Sequence, residues 1–131
     1  MEILMDTSVV IDHLRKTNKI TTFFRQISEQ HTLYISTVSK FELDIGVTAQ
    51  SRVFFDNIYE DLILLPFTDS CVNCAVEIYH KLKKQNQLIG MADLLIASTA
   101  IARDLSLATL NIKHFSRIDG LKLLPLTTNY Q

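Results

Sequence analysis

Between Lys84 and Arg103 the chain carries a single charged residue, Asp93, inside the run Leu88 to Ala102. Leu94, Leu95, Ala97, Ile101 and Ala102 recur at helical spacing with small Ala and Ser side chains between them. That pattern predicts a helix packed on most of its faces. A carboxylate at the start of such a helix is costly if buried alone, and nothing nearby in the sequence neutralises it. It needs the N–H groups and dipole of the helix N-terminus, or a cation brought from elsewhere in the fold. Asp93 is thus either a solvated helix-terminal residue or one member of an acidic site. The rest of the chain decides between the two.

The flanking segments alternate between strand and helix signals. Glu2 to Met5 is a short apolar strand with Asp6 at its C-terminal end. Thr7 or Ser8 can cap a helix through Val9, Val10, Ile11 and Leu14, and Asn18 a second to about Gln30 with Ile20, Phe23, Phe24 and Ile27 as its stripe. Thr32 to Ile35 reads as the second strand. Ser36 or Thr37 caps a helix with Phe41, Glu42, Leu43 and Ile45 that Gly46 weakens or ends, and Ser51 opens a fourth. Leu62 to Leu65, closed by Pro66, reads as a strand buried on both faces. Asp69 or Ser70 caps a long helix to about Asn86, and the helix of Asp93 follows. Leu105 to Leu110 is the fourth strand, with Asn111 at its end. A helical turn from Ile112 to Phe115 leads through Gly120 to a last strand, Leu121 to Leu126. Strands separated by helices predict a single α/β domain over residues 1–131, a doubly wound α/β/α sandwich with a mostly parallel five-stranded sheet.

The composition is compatible with this. At 131 residues, 47% apolar and 21% charged, the chain can close one core without staples. No basic leader or long apolar run precedes Glu2, so a cytoplasmic protein with no membrane span is expected. The net charge of −1 provides no global basic field for nucleic acid, and any such contact requires a local patch. Arg15, Lys16 and Lys19 form one basic cluster, Lys81, Lys83 and Lys84 a second, and Arg103, Lys113, His114 and Arg117 a looser third. Each also reads as a solvated face.

In an open parallel sheet, ligands sit beyond the C-terminal strand ends, where the winding direction reverses. Asp6 ends the first strand, Asn111 ends the fourth, Glu42 lies two turns into the helix after the second strand, and Asp93 opens the helix that feeds the fourth. If the first and fourth strands are neighbours, all four side chains can converge on one mouth. Three carboxylates and an amide oxygen, with Ser8 nearby, describe a hard-cation site for Mg²⁺ or Mn²⁺. Such a site suits attack on a phosphodiester.

Four segments carry a family resemblance. They are Asp6-Thr7-Ser8, Ser36-x-x-Ser39-x-x-Glu42-Leu43-x-x-Gly46, Ile89-Gly90-x-x-Asp93-x-x-Ile96-Ala97, and Ala108-Thr109-x-Asn111-x-x-x-Phe115. In this order the chain resembles the PIN-domain ribonucleases, and most of all the VapC-type toxins of toxin–antitoxin pairs. The resemblance implies a Mg²⁺- or Mn²⁺-dependent endoribonuclease with strand order 3-2-1-4-5. It implies Asp6, Glu42 and Asp93 on the metal and Asn111 completing or orienting that shell. RNA as substrate, a small antitoxin as partner and a homodimer follow from it as expectations. Asn111 occupies the fourth acidic position of the family, a variant the family often shows, which removes one negative charge and weighs against tight binding of a second metal. A non-catalytic PIN-like interaction module is the alternative. A receiver-type signalling domain is a further one, but it would want an Asp after the third strand and a Lys after the fifth. Pro66-Phe67 and Leu126-Thr127-Thr128 supply neither.

Other residues read as structural. Cys71 and Cys74 match a C-x-x-C spacing without a second pair, so they are expected to be small buried hydrophobes. His13, His31, His80 and His114 show no metal spacing, and His114 reads as a surface residue near the mouth. Asp12 and Asp44 read as solvated, since residues two apart on a helix do not share a face. The doublets Phe23-Phe24 and Phe54-Phe55 are either a wide core face or a partner surface.

Overall fold

The structure is a computed structural model that describes residues 1–126. Its strands are β1 (Glu2–Met5), β2 (Thr32–Ser36), β3 (Ile63–Leu65) and β4 (Ser106–Ala108). Its helices are α1 (Thr7–Arg15), α2 (Phe23–Ser28), α3 (Thr37–Ile45), α4 (Arg52–Glu60), α5 (Asp69–Lys84), α6 (Met91–Ala102) and α7 (Ile112–Phe115). The sheet is parallel throughout, in the order β3-β2-β1-β4. Its axis is β1, whose Met5 lies opposite Ile35 on one side and Ala108 on the other. The expected neighbouring of the first and fourth strands is therefore present.

Successive strand residues face opposite ways, and the two halves of the core divide accordingly. Ile3, Met5, Leu33, Ile35 and Ala108 pack with Val9, Val10, Phe23, Phe24, Ile27, Phe55 and Ile58 from α1, α2 and α4. Leu4, Leu65 and Leu107 face the other way, onto Leu82 of α5, Leu94, Ile96, Ala97 and Ala100 of α6, and Phe115 of α7. Helix α6 is enclosed as its composition predicts. Even its polar Ser98 and Thr99 are buried, and each returns its hydroxyl to the carbonyl four residues back, Leu94 and Leu95.

Several local expectations are corrected. The last strand is reduced among the described residues to one bridge, Leu107 to Leu123, made by Leu107 N–H to Lys122 O and Leu124 N–H to Leu107 O. It occupies the fifth position of the expected order, but Pro125 has no N–H with which to extend the ladder. Strand β3 lies at the edge, and Ile63 and Leu64 are each 46% exposed rather than buried on both faces. The second helix is shorter than its pattern. Asn18 caps only a turn, accepting from Ile20 N–H, Ile20 is exposed, and Thr22 is the true cap, accepting from Arg25 N–H. The long helix α5 begins after Thr68, and the cap residue of α1 is Asp6 itself. The caps at Ser36 and Ser51 lie where they were expected. Of the Phe doublets, Phe23, Phe24 and Phe55 are core, and only Phe54 is part-exposed. Cys71 is buried, Cys74 is half-buried, and both are free thiols. No helix among the described residues is long and apolar enough to cross a membrane.

Candidate active site

The site begins where β1 and β4 end together. Asp6 N–H donates to Ala108 O at 2.8 Å, which locks the first residue after β1 against the last of β4. Asp6 is 3% exposed, and a carboxylate this buried requires donors. Ser8 Oγ and Thr109 Oγ1 supply them, each at 2.7 Å and both to Oδ2. The hydroxyls are themselves oriented by backbone donors, Leu110 N–H to Ser8 Oγ at 3.0 Å and Asn111 N–H to Thr109 Oγ1 at 2.9 Å. Two amide dipoles from the β4–α7 turn are thus relayed through hydroxyls onto one carboxylate oxygen. Among the described residues nothing hydrogen-bonds the other oxygen, Oδ1.

Glu42 arrives by a different route. Ser36 ends β2 and caps α3 through Ser39 N–H, so α3 starts beside β1 and carries Glu42 across its C-terminal end. There Thr7 Oγ1 donates to Glu42 Oε1 at 2.8 Å. Asp93 lies in the first turn of α6 and is half-buried. Burial pushes its carboxyl above the ordinary range, the charges of Asp6 and Glu42 push it further, and His114 partly opposes them. Asp93 Oδ2 lies 3.9 Å from His114 Nδ1, and the same ring nitrogen is 2.8 Å from Asn111 Nδ2.

The four residues expected from the sequence lie in one neighbourhood: Thr109 links Asp6 to Asn111 and His114 links Asn111 to Asp93, while Glu42 is held by Thr7 and reaches Asp93 only through its charge. The three carboxylates interact through space but do not close on one another. Among the described residues no three Asp, Glu, His or Cys side chains form a finished cation cage. Thr7 ties Glu42 to a hydroxyl, and Ser8 and Thr109 tie Asp6. The donor set still fits a hard divalent cation, being carboxylate and amide oxygen with no thiolate.

The sequence reading missed the hydroxyl relay. Its signal was a Thr or Ser beside an acidic or amide residue, in Asp6-Thr7-Ser8 and in Thr109-x-Asn111. Two other expectations are corrected. Asp44 is not simply solvated: it pairs with Lys40 and accepts from Tyr59 Oη at 2.7 Å. Asp12 pairs with Lys16 at 3.6 Å. His114 is part-exposed, as expected, yet it belongs to the site network.

Known proteins share the sequence pattern and the fold. The family model described as PIN domain matches residues 3–121. The curated protein Ribonuclease VapC1 of Rickettsia felis is 35% identical over 136 residues, covering 98% of each chain. Ribonuclease VapC1 of Methanocaldococcus jannaschii is also 35% identical, over 93% of this chain and 86% of the relative. Among solved structures, VapBC2 from Rickettsia felis bound to a promoter DNA fragment superposes with a TM-score of 0.84 at 27% identity, covering 97% of this chain and 100% of that one. VapBC-1 from nontypeable Haemophilus influenzae gives a TM-score of 0.81 at 26% identity, covering 95% and 97%. The chain belongs to the PIN-domain family, among its VapC-type ribonucleases.

Proposed function

We propose that the protein is a Mg²⁺- or Mn²⁺-dependent endoribonuclease that hydrolyses RNA phosphodiester bonds, and the toxin of a toxin–antitoxin pair. One observation carries the reading: Asp6, Glu42 and Asp93 come from three separate segments to one end of the sheet, near enough that two of them raise the proton affinity of the third. The ribonuclease names of the relatives and the toxin–antitoxin complexes among the structural neighbours support it.

Asp6, through Oδ1, together with Glu42 and Asp93 would hold the cation, and Asn111 would complete or orient the shell. When bound, the cation supplies positive charge for the phosphoryl oxygens and a template for the attacking water. Ser8 and Thr109 fix the Asp6 carboxylate in advance, so little rotation remains to be frozen when substrate arrives. Thr7 does the same for Glu42. A cation would relieve the repulsion that raises Asp93.

The partners belong to the same reading. A groove lined by His13, Phe24, Arg25, Phe54 and Ile58 suits an apolar segment of a small antitoxin, with Phe54 as its part-exposed ring. An apolar groove between α5 and α6, lined by Phe67, Val72, Val76, Tyr79, Met91 and Leu95, suits a second copy of the chain.

The test is cleavage of single-stranded RNA by purified protein. Cleavage is expected with Mg²⁺ or Mn²⁺, to stop with EDTA, and to fall to background in Asp6→Asn. Undiminished cleavage by metal-free protein in EDTA overturns the reading.

A further inference from the structure

Three carboxylates at one mouth repel a polyanion, and a net charge of −1 offers no general attraction to offset them. At physiological salt a fixed charge is felt over about 8 Å, so cations that help must stand close to the mouth. Several of the chain's cations are neutralised. Lys16, Lys40, Arg52, Lys81 and Lys122 each pair with a carboxylate. Among the described residues Lys84, Lys113 and Arg117 pair with none.

The fold brings these three together. Helix α5 ends at Lys84, and Asn86, at φ +54°, turns the chain back so that Gln87 N–H reaches Leu82 O at 2.8 Å. Arg117, just past α7, donates from Nη1 to Leu88 O in the same linker at 3.3 Å. It also lines a small cleft with Lys81 and Leu82 of α5. Lys113 lies on α7 beside His114, whose ring is 3.9 Å from Asp93. The last turn of α5, the linker and α7 are thus joined along one side, and that side adjoins the mouth. Arg103, grouped with Lys113 and Arg117 in the sequence, is parted from them. It caps the far end of α6, about 15 Å from Asp93 at the helical rise per residue.

We propose that Lys84, Lys113 and Arg117 form the surface on which the RNA backbone lies as it enters the mouth, each taking a phosphate. The inference rests on the ribonuclease reading and adds where the substrate strand runs. Arg117 is set in advance: the Leu88 carbonyl takes one guanidinium N–H and holds the plane, and the other donors remain for phosphate oxygens. Lys84 and Lys113 are exposed ammonium groups that act as point charges. Such contacts carry no base preference, so the surface supplies affinity and register, not choice of sequence.

The test separates binding from cleavage, on the full chain. Anisotropy of a short fluorescein-labelled single-stranded RNA is followed in EDTA over a salt series, and kcat and KM are measured with Mg²⁺. Each of Lys84→Gln, Lys113→Gln and Arg117→Gln should weaken binding and reduce the slope of log affinity against log salt by about 0.7, the value for one phosphate on a single strand. The triple variant should lose about 2 from the slope. KM should rise while kcat at saturating RNA stays near wild type. Arg117→Lys keeps the charge and should restore most of the slope. Arg103→Gln is the control, expected to leave slope and KM unchanged. A triple variant with the wild-type slope overturns the proposal. An equal loss in Arg103→Gln also overturns it, since general charge would then suffice. A fall in kcat with an unchanged slope in Arg117→Gln overturns the role of Arg117 and makes it a strap on the linker ahead of Asp93. Loss of antitoxin binding in the triple variant with RNA affinity intact assigns the surface to a protein and overturns the proposal as well. If Arg117→Gln fails to fold, Lys84→Gln and Lys113→Gln decide. Wild-type protein that binds RNA through these cations but does not cleave it with Mg²⁺ or Mn²⁺ overturns the nuclease reading and leaves the surface standing.

Discussion

At the scale of single residues, the site is a balance between repulsion and positioning. Asp93 holds its proton to higher pH in the fold than in the unfolded chain, because it is half-buried and faces two other carboxylates. Its contribution to metal-free stability is therefore greatest below the unfolded pKa and is lost as the pH rises through the folded one. Asn at this position cannot ionise and escapes that loss. In EDTA, Asp93→Asn should have a higher urea midpoint than wild type near neutral pH. The gap should close as the pH falls below the unfolded Asp value of about 3.9, where the side chain is neutral in both states, and RNA cleavage should be lost throughout. A lower midpoint for the variant at neutral pH would mean that Asp93 is a structural cap. The hydroxyl relay onto Asp6 works in the opposite sense, satisfying a buried carboxylate with Ser8 and Thr109 so that it remains in place.

At the scale of elements, α3 matters most, because it delivers Glu42. Its start is fixed by the Ser36 cap, and its last turn is tied to α4 by Tyr59 Oη to Asp44 Oδ1. The Lys40 ammonium beside Asp44 holds that carboxyl below the ordinary range, with Tyr59 adding to the effect. Burial and the same carboxylate push the Tyr59 hydroxyl up, so it is a donor at neutral pH. Tyr59→Phe should cost about 1 kcal/mol at neutral pH by urea unfolding, the net value of one hydrogen bond to a charged, part-exposed partner. The difference from wild type should shrink as Asp44 is protonated in acid. RNA cleavage should fall less than in any variant of the three site carboxylates. The short α2 illustrates the opposite case. Its apolar stripe continues at Ile20, but Thr22 supplies the cap, accepting from Arg25 N–H, and bonds the buried His13 through its hydroxyl. The helix begins where the capping partner is, not where the stripe begins.

At the scale of the whole molecule, the parallel sheet packs a core on each face and leaves α5 and α6 with exposed apolar side chains. Val72, Val76 and Met91 are 42%, 49% and 61% exposed along one groove. Apolar side chains concentrated in this way mark an interaction surface. The proposed homodimer should appear in light scattering as twice the 15.0 kDa of the chain, and Val76→Lys should return the monomer with an unchanged circular dichroism spectrum. A wild-type monomer at micromolar concentration would remove the dimer from the proposal.

What the sequence alone determined was the pattern of layers and the identity of the acids. Apolar runs of period two and of helical period specify which segments are strands and helices. A carboxylate at a strand end, or alone in an apolar helix, is conspicuous whatever surrounds it. Asp6 and Asp93 stand out for that reason, Glu42 and Asn111 through their positions in the segments that carry the family resemblance, and the neighbouring of the first and fourth strands was legible once that resemblance supplied the strand order. Only the tertiary structure decided how those side chains are held. The bonds from Thr109 to Asp6, Thr7 to Glu42 and Tyr59 to Asp44 join residues far apart in the chain, and His114 meets Asp93 across two helices. No local periodicity encodes such pairs. Thr109 meets Asp6 because β1 and β4 end side by side, Thr7 meets Glu42 because β2 pairs with β1 just ahead of α3, and Tyr59 meets Asp44 where α4 lies against α3, so each pair is a property of the closed fold.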